Sequence, residues 1–298
     1  MAKLHWLVPT LLALMCVAAL MTATLAYVVP TAQLLAIFGP TKMGAEAMPP
    51  GTKLDFVGTA DGERLAYLKM PAHRLVRQED STTFSPHVLT SIYFHGRRGN
   101  LAECLGVIRV DAAHGMDVVA VDYRGYGCSS GTPSEAGLFL DGEAILRHVV
   151  EDMGVPRHRI VLHGFSLGCT VAVHLAALHD DFAALVLEAP FADLRSATLH
   201  LYPAFRPLRM FMTRAFNNIN TVSTVEQTPV LVTHSKQDEC ISWRDGQAVF
   251  AACLSKRRRF EWSHRVSHIG PHLTAASFRW IKAQAHTAQV QKPDIEST

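Results

Sequence analysis

Ser166 stands in the pentad Gly164-Phe165-Ser166-Leu167-Gly168, at the end of the run 159–163 and opening a stretch of helical spacing over 169–178. A serine on a sharp strand-to-helix turn holds its hydroxyl clear of the backbone, which is the placement an acyl-transfer nucleophile needs. Side chains two residues to either side would collide with neighbouring backbone, so glycine is expected at 164 and 168. The bare pentad is often only a loop. The strand before it and the helix after it are what point to a nucleophile.

A hydroxyl is a weak nucleophile at neutral pH, so Ser166 requires a base, and the base requires an orienting acid. On sheets of this kind the partners follow in the order serine, acid, histidine. The run 229–233 reads as a strand, and His234-Ser235-Lys236-Gln237-Asp238 is the loop beyond its end. Asp238 is the expected acid, with Glu239 as its competitor. The chain has 16 histidines, of which His264, His268, His272 and His286 follow the acid. His268 lies between the short run 260–263 and a helix that Pro271 would open well in its first turn. It is therefore the expected base, with His272 as the alternative. The oxygen that becomes negative during attack needs donors, each worth about a hundred- to thousandfold in rate. The backbone N–H of Leu167, after the nucleophile, is one. The N–H of Arg97, in the loop Phe94-His95-Gly96-Arg97-Arg98-Gly99, is the other.

The elements that must carry these groups are readable from periodicity. Residues 54–57 and 65–68 flank Asp61-Gly62 and read as a hairpin. Apolar runs at 88–94, 117–121, 159–162, 183–187 and 229–233 suit strands buried on both faces, as in a parallel sheet. Between and after them lie candidate helices at 101–114, 135–153, 167–179, 243–254 and 273–285. This alternation predicts a doubly wound α/β sheet, whose ligand sites lie beyond the carboxyl ends of the strands.

Taken together, His95-Gly96, Asp122-Tyr123-Arg124-Gly125-Tyr126-Gly127, the Ser166 turn, Glu188-Ala189-Pro190-Phe191 and the Asp238 loop resemble the α/β-hydrolase superfamily. The chain is most similar to the branch of membrane-anchored lysophospholipid lipases, protein depalmitoylases and serine-aminopeptidase-like hydrolases, over residues 54–281. The resemblance implies ester, thioester or amide hydrolysis through an acyl-enzyme, without a cofactor. A lipid-like ester or thioester is the favoured substrate. A peptidase or small-ester hydrolase of the same fold, or an inactive lipid-binding scaffold, are the alternatives. Family members often place a lid where this chain has residues 193–225. There Tyr202, Phe205, Met210, Phe211, Met212 and Phe216 could line an acyl pocket or simply pack the lid. Arg195, Arg206, Arg209 and Arg214 could face lipid phosphates or water.

Composition narrows the remainder. The chain has 298 residues, 49% apolar and 18% charged, with a net charge of +2, which gives no basic footprint for nucleic acid. Six cysteines are too few for a disulfide scaffold of this length. No paired histidines on one helix face and no close cysteine pair suggest a metal site. No Asp, Glu, Lys or Arg occurs over residues 4–41. The stretch 6–29 exceeds the roughly 20 residues that cross a bilayer core and the roughly 7–15 of a signal sequence. An N-terminal anchor over residues 1–41, followed by a hydrolase domain over 42–298, is the expectation. A cleaved signal and a helix packed on the domain are the alternatives. The leader favours an extracytoplasmic domain, and removing residues 1–40 is expected to release an active soluble enzyme. Ligand partners are a small-molecule or lipid acyl substrate and the membrane.

Overall fold

The computed structural model describes residues 4–39, 42, 48–49, 52–72, 88–264, 267–269 and 272–291. Its centre is an eight-stranded sheet in the order β1-β2-β4-β3-β5-β6-β7-β8. β1 (Leu54–Gly58) and β2 (Arg64–Met70) form the antiparallel hairpin, which joins β4 (Asp117–Val121) through β2. β3 (Thr90–Phe94), β4, β5 (Ile160–Phe165), β6 (Ala184–Glu188), β7 (Val230–Ser235) and β8 (Arg258–Ser263) run parallel. The central strands are buried on both faces, which is why their sequences read as unbroken apolar runs rather than alternating ones.

Successive residues of each strand feed opposite cores. On one face, Val118, Ala120 and Tyr93 pack on α2 (Leu101–Ala113), and Val161, Val186 and Leu231 pack on α8 (Ala275–Gln291). On the other, Ile92, Phe94, Val119, Leu162 and Leu187 join the main core under α3 (Glu135–Arg147), α4 (Gly168–His179) and α7 (Trp243–Ala252). α2 begins where the Asn100 side chain accepts from the amides of Ala102 and Glu103, so the loop after β3 ends on a defined cap.

Three expectations are adjusted. The helix expected over 135–153 is α3 followed by a π-helical turn, His148–Asp152. α8 starts at Ala275; Pro271, expected to open it, lies outside the described residues. The lid is built from α5 (Leu194–Leu201), a 3₁₀ segment (Pro203–Phe211) and α6 (Asn218–Val222).

The aromatic and methionine side chains of the lid divide between packing and exposure. Phe216 turns into the main core, edge-on to Phe38 and Phe139, and Met212 is buried. Tyr202, Phe205 and Met210 face outward. Of the lid arginines, Arg214 pairs with Asp193 at 2.6 Å.

The uncharged N-terminal run is one helix, α1 (Leu4–Ile37), and Leu14–Ile37 is long and apolar enough to cross a membrane. Its first part projects from the domain with Leu11, Leu14, Leu20 and Tyr27 exposed, whereas Val29, Gln33 and Ile37 are buried. The expected boundary between residues 41 and 42 thus lies beyond turns of α1 that already pack on the sheet domain. None of the six cysteines is bridged.

Candidate active site

β5 delivers Ser166 in the left-handed region, at φ 52°. An L residue there costs about 1–2 kcal/mol, so the turn must be held. Its holding bonds are Ser166 N–H to the Glu188 carbonyl at 2.8 Å and Cys169 N–H to the Ser166 carbonyl at 3.0 Å. A Cβ at 164 would lie 2.5 Å from the Gly168 carbonyl oxygen, and one at 168 would strike the Phe94 carbonyl. Both glycines are therefore dictated by the turn, as the sequence implied. Cys169 is packing: it is buried, its Sγ lies 3.2 Å from the Gly164 carbonyl, and burial pushes its thiol far up, away from reactivity.

The structure brings the three expected residues into line. His268 Nε2 lies 3.1 Å from Ser166 Oγ, and His268 Nδ1 lies 2.8 Å from Asp238 Oδ2. A carboxylate can only accept, so Nδ1 carries a proton and Nε2 is free to accept from the serine hydroxyl. The other Asp238 oxygen, Oδ1, accepts from the amides of Cys240 and Ile241 at 2.9 and 2.8 Å. Burial pushes the Asp238 carboxyl up. Hydrogen bonding from His234 and His268 outweighs this and holds it well below the usual carboxylate range.

The competitors have other tasks. Glu239 Oε2 accepts the backbone N–H of His268 at 3.0 Å, so it fixes the loop rather than the ring. The Nε2 of His272 is engaged by the His268 carbonyl at 2.9 Å. His264 is exposed.

The expected oxyanion donors lie where α4 begins and in the loop after β3. Leu167 directly precedes Gly168, the first residue of α4, so its amide belongs to the unpaired N-terminal set of the helix. A Cβ on Gly96 would lie 3.4 Å from Ser166 Cβ, which places the loop against the nucleophile. His95 Nδ1 lies 2.7 Å from the Gly96 carbonyl and so donates to it. Because the peptide is planar and trans, this bond also fixes the direction of the Arg97 N–H on the same peptide unit. His95 is in turn held by Tyr123, whose hydroxyl donates to its carbonyl at 2.9 Å, and Asp122 Oδ1 stands 3.4 Å from its Nε2. The sequence displayed these residues in two motifs without showing that one orients the other.

A second group was not assembled by the sequence, although Glu188 stood in one of its motifs. Beneath the site, His163 lies with Nδ1 2.9 Å from Asp111 and Nε2 against Glu188. Both partners are acceptors, so the ring is an imidazolium. Burial lowers its pKa, but the two carboxylates outweigh that and raise it to about 10. Glu188, which burial alone would push up, is held low by His163. The Glu188 carboxylate also accepts the His272 N–H at 2.7 Å, while its carbonyl holds Ser166. One residue thus ties the nucleophile turn to the histidine loop. A raised imidazole stabilises the fold fully below its unfolded value of about 6.5 and loses that contribution as pH rises through its folded value. The melting temperature should therefore fall between pH 6.5 and 10, and the fall should flatten in His163→Gln. A wild-type profile that is level over that range would exclude the charged ring.

Beside Ser166 opens a cavity of about 740 Å³, with Tyr93, Gly96, Val107, Phe165 and Ile269 among its apolar walls and Arg98 and Glu103 among its charged ones. Among the described residues no group of His, Cys, Asp and Glu is arranged to hold a metal ion.

A family model described as alpha/beta hydrolase fold matches residues 92–211. The protein bem46 of Schizosaccharomyces pombe is 30% identical over 197 residues, 65% of this chain and 65% of that protein. The chain belongs to the α/β-hydrolase superfamily. Alpha/beta hydrolase domain-containing protein 17C of Xenopus tropicalis is 33% identical over 165 residues, 55% of this chain and 51% of that protein. The match thus spans between about half and two thirds of these relatives. Among solved structures, the Pyrococcus furiosus esterase Pf2001 superposes with a TM-score of 0.57 at 17% identity, over 84% of this chain and 96% of that one, a likeness of fold. As in other α/β-hydrolases, the site lies at the carboxyl ends of the parallel strands, with Ser166 after β5, Asp238 after β7 and His268 after β8.

Proposed function

We propose that this α/β-hydrolase is a membrane-tethered serine hydrolase that cleaves esters or thioesters of lipid-like acyl groups. The observation that carries this reading is the continuous line Ser166 Oγ, His268 ring, Asp238 carboxylate. Ser166 Oγ attacks the acyl carbonyl carbon as its proton passes to His268 Nε2. The carbonyl oxygen takes the negative charge and is met by the amides of Leu167 and Arg97. The tetrahedral adduct collapses to an acyl-enzyme, and the His268 proton leaves with the alcohol or thiol. Water then attacks the acyl group, gives its proton to the same nitrogen, and the acid departs as Ser166 regains its hydrogen.

The apolar walls of the cavity and its position beside Ser166 support an acyl rather than a peptide occupant. The resemblance to the branch containing depalmitoylases fits a thioester as readily as an oxygen ester. The side of the membrane on which the domain lies rests on the signal-like leader, which favours the extracytoplasmic side.

A fluorophosphonate probe should label the purified, folded full-length protein at Ser166. Absence of labelling would sink the hydrolase reading. The acyl assignment has its own check. Val107→Trp fills the cavity, so turnover of a dodecanoyl p-nitrophenyl ester should fall about tenfold relative to the acetyl ester. An unchanged ratio would place the acyl chain elsewhere.

A further inference from the structure

α1 divides its polar side chains into two kinds. The hydroxyls of Thr22, Thr24 and Thr31 bond backward to carbonyls of their own helix, which makes no demand on the surroundings. Gln33, the only carboxamide in the uncharged run, instead reaches out. Its Nε2 donates to the Thr213 carbonyl at 3.2 Å and its Oε1 accepts the Thr213 N–H at 3.0 Å. This reciprocal pair, 4% exposed at Gln33, clasps the lid between the 3₁₀ segment and α6. Val29 and Ile37, four residues to either side on the same face, are buried with it, and Phe38 meets Phe216 at 5.9 Å. The opposite face keeps Tyr27, Val28 and Leu35 exposed.

The same helix end touches the oxyanion loop. The last carbonyls of a helix lack partners within it and carry its negative dipole end. The Arg97 guanidinium donates to one of them, the Ala36 carbonyl, at 2.8 Å. Gly39, just beyond the helix, lines the cavity, and a Cβ there would lie 3.9 Å from the Arg97 carbonyl oxygen. Residues 4–28 would still extend about 37 Å as helix, more than a bilayer core of about 30 Å, so spanning and docking use different turns.

From this geometry we infer that residues 29–39 are a positioning element of the catalytic centre. Gln33 locks the end of α1 to the lid, and that helix end holds the Arg97 side chain, and with it the peptide whose N–H meets the oxyanion. The tether and the reaction centre are one mechanical unit, so the release of an active enzyme by removing residues 1–40 is no longer the expectation. This inference rests on the serine-hydrolase reading.

The test uses the full chain in detergent micelles, with acetyl p-nitrophenyl ester as substrate. Arg97→Met keeps the backbone amide but loses the bond to α1. Its kcat should fall about tenfold, less than loss of a whole donor, with KM within about twofold. Arg97→Lys, which can still donate to the Ala36 carbonyl, should recover kcat to within about threefold of wild type. Gln33→Leu, remote from the cavity, should show the same loss in kcat. A trifluoromethyl ketone, which forms the tetrahedral adduct, should weaken in parallel with kcat, a response that general loosening of the fold would not give. If Gln33→Leu fails to fold, the Met and Lys variants at 97 decide alone. Wild-type kcat in Arg97→Met, with normal probe labelling, would overturn this inference and leave the hydrolase standing. No labelling of the wild type would defeat the hydrolase reading itself.

Discussion

Ser166→Ala is expected to abolish fluorophosphonate labelling and to lower kcat by about 10⁴–10⁶-fold while leaving the fold intact. The fold should survive because the turn is held by the backbone N–H and carbonyl of residue 166, while its hydroxyl meets His268. Alanine at a positive φ carries a penalty similar to that of serine, so the strain is not increased. Because the groups act as one unit, Ser166→Ala combined with His268→Ala should be scarcely slower than either alone. Steady-state rates on a short ester, alongside circular dichroism, decide the matter. A Ser166→Ala protein with more than a tenth of wild-type turnover would remove the serine from the mechanism.

Asp238→Asn should cost about 10⁴ in kcat, through the proton it misplaces rather than through lost packing. Oδ1 already accepts two backbone amides, so an asparagine would keep its carbonyl there and turn its NH₂ group towards His268 Nδ1. That forces Nδ1 to accept, puts the ring proton on Nε2 and leaves Ser166 without a base. Glu239→Gln is the comparison. It touches only the backbone of His268 and retains an acceptor, so its loss should stay within about tenfold. In the wild type Asp238 is held below the usual carboxylate range, so above that range it remains an acceptor for His268 Nδ1. Equal losses in Asp238→Asn and Glu239→Gln would show that the two carboxylates merely support the loop.

Ser166, Asp238 and His268 were legible for different reasons. The serine was written locally, because the steric demands of its turn are met by glycines within five residues and by a change from strand to helix spacing. The acid and base followed from chain order, which the topology imposes. Glu188 and His272 stood among the quoted residues, but their link to each other and to His163 was not legible: a buried ion pair is made of residues that look like surface groups until the sheet register brings β5 against β6. Nor could the lid show which way its aromatics turn. Phe216 goes inward against Phe38 and Phe139 while Tyr202 and Phe205 stay exposed, and α1 meets the lid through Gln33 and Thr213, 180 positions apart. An apolar run announces its length; one glutamine within it carried the sign that the helix also docks.

The parallel order of the strands has a bearing on how this molecule comes into being. Nucleophile and base are separated by 102 positions, and β8, whose end leads to His268, pairs with β7 at the edge of the sheet. A nascent chain therefore acquires its apolar helix first, its strained serine midway and the histidine aligned with it near the end. Contacts so distant in sequence form slowly. Until they close, the serine has no base, so under the proposed mechanism the half-made chain cannot attack an acyl group. Synthesis itself acts as the safety catch.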